Sequence, residues 1–286
     1  MLEDLYSRTT QVRLPEASIC CLRQGSGPHV MLLHGIPLSL LTWRNNVEAL
    51  ARQHTVVAPD LKGYGRSQKP PGDYSPEAHA RVLGGLLDAF GIRSTTLVAS
   101  SYSCAPAIRL ALDDGQRVDR LVLINSIGHP GGRHSLERLL RIRGVAAMLR
   151  LALRRRRVGR ALFMSRLKQS YANPAALPKE VADAYFDLFL RNHGEETFLR
   201  TLLQFDETAV VKALPRVTQP TLIIWGERDR ILPVANALCI QQQIPGAQLR
   251  ILPDVGHLSH EEAAADVNRL IIDFLAAAPA GNHLSG

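Results

Sequence analysis

The chain has 286 residues, of which 46% are hydrophobic and 21% charged, with four cysteines and a formal net charge of +8. That length fits a large α/β domain, or one carrying an insertion, and can bury a substantial core. No apolar run approaches the roughly 18 residues of a membrane span. The acidic start, Met1-Leu2-Glu3-Asp4, lacks the apolar segment of a secretory signal. Cys20, Cys21, Cys104 and Cys239 show no C-x-x-C spacing, so reduced thiols, no metal and a cytoplasmic location are expected. Adjacent Cys20 and Cys21 would point to opposite faces of a strand.

In chain order, residues 17–23 and 29–33 read as strands separated by the turn Gln24-Gly25-Ser26-Gly27. Residues 41–52 carry a helical pattern, and 54–58 form a short β-branched strand. The next helix opens with Ser75 as N-cap, Pro76 at its first position and Glu77 in its first turn. Val82, Leu83, Leu86, Leu87 and Phe90 give it an apolar stripe, which Gly91 ends. Apolar residues 95–98 then run into Ala99-Ser100-Ser101-Tyr102-Ser103 and out into a helix from about residue 105. A strand follows at 120–124. Residues 126–214 read as helices alone, with turn signals at Pro130-Gly131-Gly132 and Asn173-Pro174. Strands return at 221–225 and 247–252, each followed by a helix. This alternation predicts an α/β fold, a mostly parallel sheet with helices on both faces. The core is expected at 1–125 and 215–286, with 126–214 inserted as a helical lid over the sheet's C-terminal edge.

That edge collects the reactive side chains. A serine between a strand and a helix is thrust forward beside backbone N–H groups, usually within G-x-S-x-G. Here Ala99 and Ser103 take the glycine positions. Ser100 and Ser103 are rivals, but Ser101 is the residue set one position from each small flank. Serine needs a base, and the base needs an orienting acid. Asp229, in Trp225-Gly226-Glu227-Arg228-Asp229, and His257, in Leu252-Pro253-Asp254-Val255-Gly256-His257, each follow a strand. The order Ser101, Asp229, His257 is that of strand–turn–helix serine hydrolases. The loop His34-Gly35-Ile36-Pro37 offers a backbone N–H, so Ile36 and Tyr102 are the expected oxyanion donors. The loop from Asp60 to Ser67 holds glycines but not the G-x-x-x-x-G-K-[ST] spacing of a phosphate cradle, and it reads as structural.

These ordered motifs, together with Gly25-Ser26-Gly27, resemble the α/β-hydrolase family through nearly the whole chain. The N-terminal half is most similar to the haloalkane dehalogenase and epoxide hydrolase branch, in residues 37–45 with Trp43-Arg44-Asn45 and in 63–71. That branch implies an aspartate nucleophile, where this chain has Ser101. It also implies a halide-holding Asn after His-Gly and a Trp after the nucleophile, where this chain has Ile36 and Tyr102. Acyl transfer to serine is expected instead.

The expected activity is therefore carboxylesterase-type hydrolysis of a small-molecule ester or thioester through an acyl-enzyme, with no cofactor. Other chemistry on the same fold (carbon–carbon bond hydrolysis, a lyase or a cyclase step) stands as an alternative, as does a non-catalytic ligand binder. Leu149, Leu153, Phe163, Phe186, Phe189 and Phe198 either line an apolar acyl pocket or pack the lid helices. The charge is uneven. Of 34 basic and 26 acidic residues, 16 and 8 fall between 125 and 215, so the remaining 18 and 18 cancel. The run Arg154-Arg155-Arg156-Arg157 is either a solvated helix face or the seat of an anionic partner, an acyl carrier protein or a membrane surface, rather than nucleic acid.

Overall fold

Eight strands form a single sheet in the computed structural model of the chain, which describes residues 2–128, 140–142 and 144–277. They are β1 (Thr9–Arg13), β2 (Ser18–Gln24), β3 (His29–Leu33), β4 (Thr55–Pro59), β5 (Thr95–Ser100), β6 (Val118–Ile124), β7 (Thr221–Gly226) and β8 (Gln248–Leu252). Across the sheet the order is β1-β2-β4-β3-β5-β6-β7-β8. From β4 to β8 every neighbouring pair is parallel, whereas β1–β2 and β2–β4 are antiparallel. The edge strand β1 carries no sequence signal of its own, because Thr9-Thr10-Gln11-Val12-Arg13 is largely polar and solvent-facing. The strand order reverses between β3 and β5. A crevice opens outside the C-terminal ends of strands at such a switch point.

The helices are α1 (Leu2–Ser7), α2 (Val47–Ala51), α3 (Pro76–Ala89), α4 (Cys104–Asp113), α5 (Val145–Arg154), α6 (Arg156–Gln169), α7 (Lys179–Leu190), α8 (Gly194–Gln204), α9 (Glu207–Ala213), α10 (Ala235–Gln243), α11 (Ser259–Glu262) and α12 (Ala264–Ala276). Ser75 caps α3 by accepting the Ala78 N–H at 3.2 Å, and Gly91 follows the helix at a φ of +63°. The helix expected over 41–52 is instead a 3-10 turn, Leu40–Trp43, and the short α2. Side-chain amides explain the break: Asn46 donates to Asn268, which donates to the Asn45 carbonyl, tying the kink to α12. The turn signal Pro130-Gly131-Gly132 lies outside the described residues.

Strand alternation divides the core into two layers. Ile19 and Cys21 pack on the face covered by α3, α4 and α10, and Cys20 and Leu22 on the face covered by α2 and α12. All four cysteines are free. The 60–67 loop is a buttress. Asp60 accepts from the Leu40 and Arg66 N–H groups at 2.8 and 2.7 Å and from the Tyr6 hydroxyl at 2.9 Å. Burial nevertheless pushes its carboxyl up to about 6.

Helices α5 to α9 lie between β6 and β7 and meet the loops beyond the strands' C-terminal ends. Tyr64 donates to Thr201 at 2.6 Å, the Tyr74 N–H donates to Gln204, and the Leu258 N–H donates to the Ser170 carbonyl at 3.1 Å. The strongest tie is the fully buried Glu261 carboxylate. It pairs with Arg44 and accepts from the Tyr171 and Tyr185 hydroxyls at 2.9 and 2.8 Å. The aromatic residues of α6 to α8 mostly pack on one another. Phe163 stacks on Phe189 at 5.1 Å and meets Phe186 at 5.5 Å, while Phe189 meets Phe198 at 6.0 Å. Leu153 is buried with them, and Leu149 is half-buried.

Glu261→Gln leaves Arg44 without its counter-charge in a buried site, so it should lower unfolding free energy by about 3–5 kcal/mol, measured by urea denaturation. Burial also holds His34 and His79 at about 4 and His260 at about 3. These folded values lie below the ordinary value of about 6.5, so the unfolded chain binds more protons between them. The stability these three histidines contribute is therefore complete above about pH 6.5 and falls as the pH drops towards 4. His260 lies against Trp43, with ring centroids 4.2 Å apart and tilted by 34°, and neither ring nitrogen has a hydrogen-bond partner among the described residues. His260→Phe should accordingly keep the urea midpoint at pH 7 and flatten its decline in acid.

Candidate active site

Strand β5 is buried along its whole length, and the residue that follows it departs from extended backbone. Ser101 has a φ of +56°, in the left-handed region that costs a non-glycine residue on the order of 1–2 kcal/mol. Its neighbours impose that conformation. The Ser103 hydroxyl accepts the Ser100 N–H at 3.0 Å and lies 2.9 Å from both the Leu33 and Ser100 carbonyls, to either of which it can donate. Ser103 thus fills the narrow crossing of β5 and α4 with a polar brace where the usual motif has glycine. Ser100 is fully buried. Of the three serines, Ser101 alone is only half-buried, at the C-terminal end of β5.

The loop after β3 runs directly against it. A Cβ on Gly35 would sit 3.1 Å from Ser101 Cβ and 3.3 Å from the Ser100 carbonyl, so glycine permits the approach. His34 anchors this loop, with Nδ1–H donating to the Gly35 carbonyl at 2.9 Å and Nε2 accepting the Leu61 N–H at 2.9 Å. Both bonds suit the neutral ring that burial enforces. Ile36 follows Gly35, and Tyr102 follows Ser101, so both backbone amides stand one residue from the contact. The Tyr102 side chain turns inward. Its hydroxyl donates to the Tyr74 carbonyl at 3.0 Å, and its ring meets Phe205 at 5.7 Å.

The loops after β7 and β8 bring the other two expected residues to Ser101. His257 Nε2 lies 3.0 Å from Ser101 Oγ, and Nδ1 lies 2.7 Å from Asp229 Oδ2. These partners assign the tautomer with Nδ1–H donating to the carboxylate and Nε2 free to accept. Asp229 is saturated. Oδ1 accepts the Ile231 and Leu232 N–H groups at 2.7 and 2.8 Å, and Oδ2 accepts from Asn125 Nδ2 at 2.7 Å as well as from His257. Burial opposes ionisation here. The charge and hydrogen bond of His257, the Leu232 N–H and the Asn125 amide outweigh it and hold the carboxyl below its ordinary value.

Main chain sets the spacing of this pair. The Arg228 N–H donates to the Val255 carbonyl at 2.8 Å, and the Glu227 N–H to the Leu252 carbonyl at 2.9 Å. A Cβ on Gly226 would fall 2.1 Å from the Gly256 carbonyl, so the two loops touch backbone to backbone.

The sequence did not single out Asn125 or Ser259. Asn125 follows β6 at a φ of +45°, and Ser259 donates to its Oδ1 at 2.6 Å, which turns the amide nitrogen towards Asp229. The available signal was a polar residue ending the buried run Leu121-Val122-Leu123-Ile124. Among the described residues no three His, Cys, Asp or Glu side chains gather into a metal-binding group.

Residues 28–264 match the family described as alpha/beta hydrolase fold. The chain belongs to the α/β-hydrolase fold family. Among its relatives within this family, a 2-hydroxy-6-oxononadienedioate/2-hydroxy-6-oxononatrienedioate hydrolase of Cupriavidus pinatubonensis is 32% identical, covering 91% of each chain. An alpha/beta hydrolase fold protein of Burkholderia ambifaria has a similar structure, with a TM-score of 0.82, 28% identity and coverage of 92% of this chain and 97% of that one. A thermophilic esterase of Thermogutta terrifontis superimposes with a TM-score of 0.78 at 25% identity, over 93% and 96% of the two chains.

Asn125→Asp tests the electrostatics of this α/β-hydrolase site. It sets a second carboxylate against Asp229, and the like charges raise the pair's proton affinity in the folded state. Urea denaturation should show destabilisation at pH 7 that is relieved as the pH falls below about 5.

Proposed function

We propose that the chain is a serine hydrolase that cleaves an ester or thioester through an acyl-enzyme at Ser101. The observation that carries this reading is the hydrogen-bonded line from Ser101 through His257 to Asp229, beginning at a strained turn. His257 Nε2 removes the Ser101 proton as Oγ attacks the acyl carbon. Asp229 fixes the ring and stabilises the imidazolium. The N–H groups of Ile36 and Tyr102 receive the developing oxyanion. Collapse breaks the bond to the leaving oxygen or sulfur, which takes the proton from His257. Water then gives its proton to His257 and its oxygen to the acyl carbon, releasing the acid and restoring Ser101. In this reading helices α5 to α9 form a cap that closes the crevice and selects the substrate.

A second reading has the same serine cleaving a carbon–carbon bond beside a ketone. It is supported by the Cupriavidus relative, whose name describes a 2-hydroxy-6-oxo dienedioate hydrolase and which matches over 91% of this chain. There the leaving carbon would carry electrons into a conjugated dienol acid and take its proton at carbon.

A fluorophosphonate probe should label the native protein, and Ser101→Ala should abolish labelling while leaving the circular dichroism unchanged. Failure to label folded protein refutes the serine reading. On turned-over substrates Asp229→Asn should lower kcat by about 10⁴-fold. A panel of p-nitrophenyl esters and acyl thioesters, run beside 2-hydroxy-6-oxo dienoates, separates the readings. Higher kcat/KM on the dienoates assigns the carbon–carbon reaction and rejects the ester one.

A further inference from the structure

The hairpin of α5 and α6 is apolar on two sides. Its inner side is packed: Leu153, Phe163 and Leu167 are buried in the core, as helix packing requires. Its outer side is not. Seven large apolar side chains stand exposed among the described residues, and five of them, Ile142, Met148, Leu151, Val158 and Leu162, fall between residues 142 and 162. Met148 and Leu151 are 73% and 58% exposed on α5, and Val158 and Leu162 are 44% and 45% exposed on α6. Each pair is spaced three or four residues apart, so each forms one stripe along its helix. Scattered exposed aliphatics are ordinary, but a concentration on one supersecondary unit marks a contact surface.

The charged residues at the same hairpin carry one sign. Arg155, Arg156 and Arg157 occupy the turn, all exposed, and form no ion pair among the described residues, whereas Arg154 pairs with Glu195 at 3.7 Å and Arg160 pairs with Asp183. The turn is tight, because a Cβ on Gly159 would fall 1.9 Å from the Leu153 carbonyl. Bare arginines therefore sit at the junction of both apolar stripes.

We propose that this hairpin docks on an anionic lipid bilayer, with Met148, Leu151, Val158 and Leu162 entering the headgroup–acyl boundary and Arg155 to Arg157 meeting lipid phosphates. Aliphatic side chains flanked by unpaired arginines are the composition of an interfacial helix. Charge complementarity selects this occupant. A two-fold contact with a second copy would bring the two arginine turns together. A nucleic acid would leave the aliphatic side chains without partners. The docking concerns the outer face of the helices and does not depend on the reaction assigned to Ser101.

Vesicle sedimentation of the full chain tests it. Binding should appear with phosphatidylglycerol–phosphatidylcholine vesicles at low salt, be absent with phosphatidylcholine alone, and weaken strongly by about 0.5 M salt, where screening shortens the reach of charge. Replacing the three arginines together (Arg155→Gln, Arg156→Gln and Arg157→Gln) should weaken binding about 100-fold, because each basic residue at such a surface contributes about fivefold. Leu151→Ser with Leu162→Ser should weaken it at every salt concentration. All five positions are exposed, and unchanged thermal melting of these variants confirms that they fold. Equal sedimentation with neutral and anionic vesicles, variants that bind like the native chain, or self-association without vesicle binding would each overturn the proposal.

Discussion

The buried carboxylate of Glu261 joins three parts of the molecule at a single point. Moving a carboxylate out of water costs several kcal/mol, which only a counter-charge and hydrogen bonds offset. Arg44 supplies the first from the loop after β3, and Tyr171 and Tyr185 supply the second from the helical insert. Glu261 itself stands four residues beyond His257. The loop that carries the imidazole is thus fastened to the insert above it and to the loop that passes Ser101. None of these segments can shift far without stranding a charge in a nonpolar interior.

The strain at Ser101 has the same logic on a smaller scale. A left-handed serine would relax if its neighbours allowed it. The Ser103 brace, the Gly35 contact and the parallel pairing of β5 with β3 and β6 do not. Asp229 is likewise held by more donors than orientation alone needs. Four hydrogen bonds leave its carboxylate a single position relative to the imidazole.

Much of this was legible in the residues. Buried parallel strands read as apolar runs, and Ser75-Pro76-Glu77 announces a helix start by local chemistry alone. Ser101 and Asp229 stand out because each follows such a strand, and His257 because it follows the more exposed β8. The sequence was silent where long-range pairing overrides local pattern. β1 is polar and gains its strand form only by pairing with β2. The helical pattern over 41–52 breaks because Asn268, more than 200 residues away in sequence, bonds to Asn45 and Asn46. Asn125 was missed for a related reason. Its partners Asp229 and Ser259 lie 104 and 134 residues away, and no motif spans that distance.

The backbone contact between Gly226 and Gly256 carries a consequence for how such a protein can diversify. The separation of Asp229 and His257 is written into peptide groups, which most side-chain replacements leave untouched. The insert meets the core through side chains as well, from Tyr64 and Thr201 to the Glu261 cluster. Side-chain mutation can therefore vary helices α5 to α9 while the placement of His257 against Asp229 is inherited unchanged.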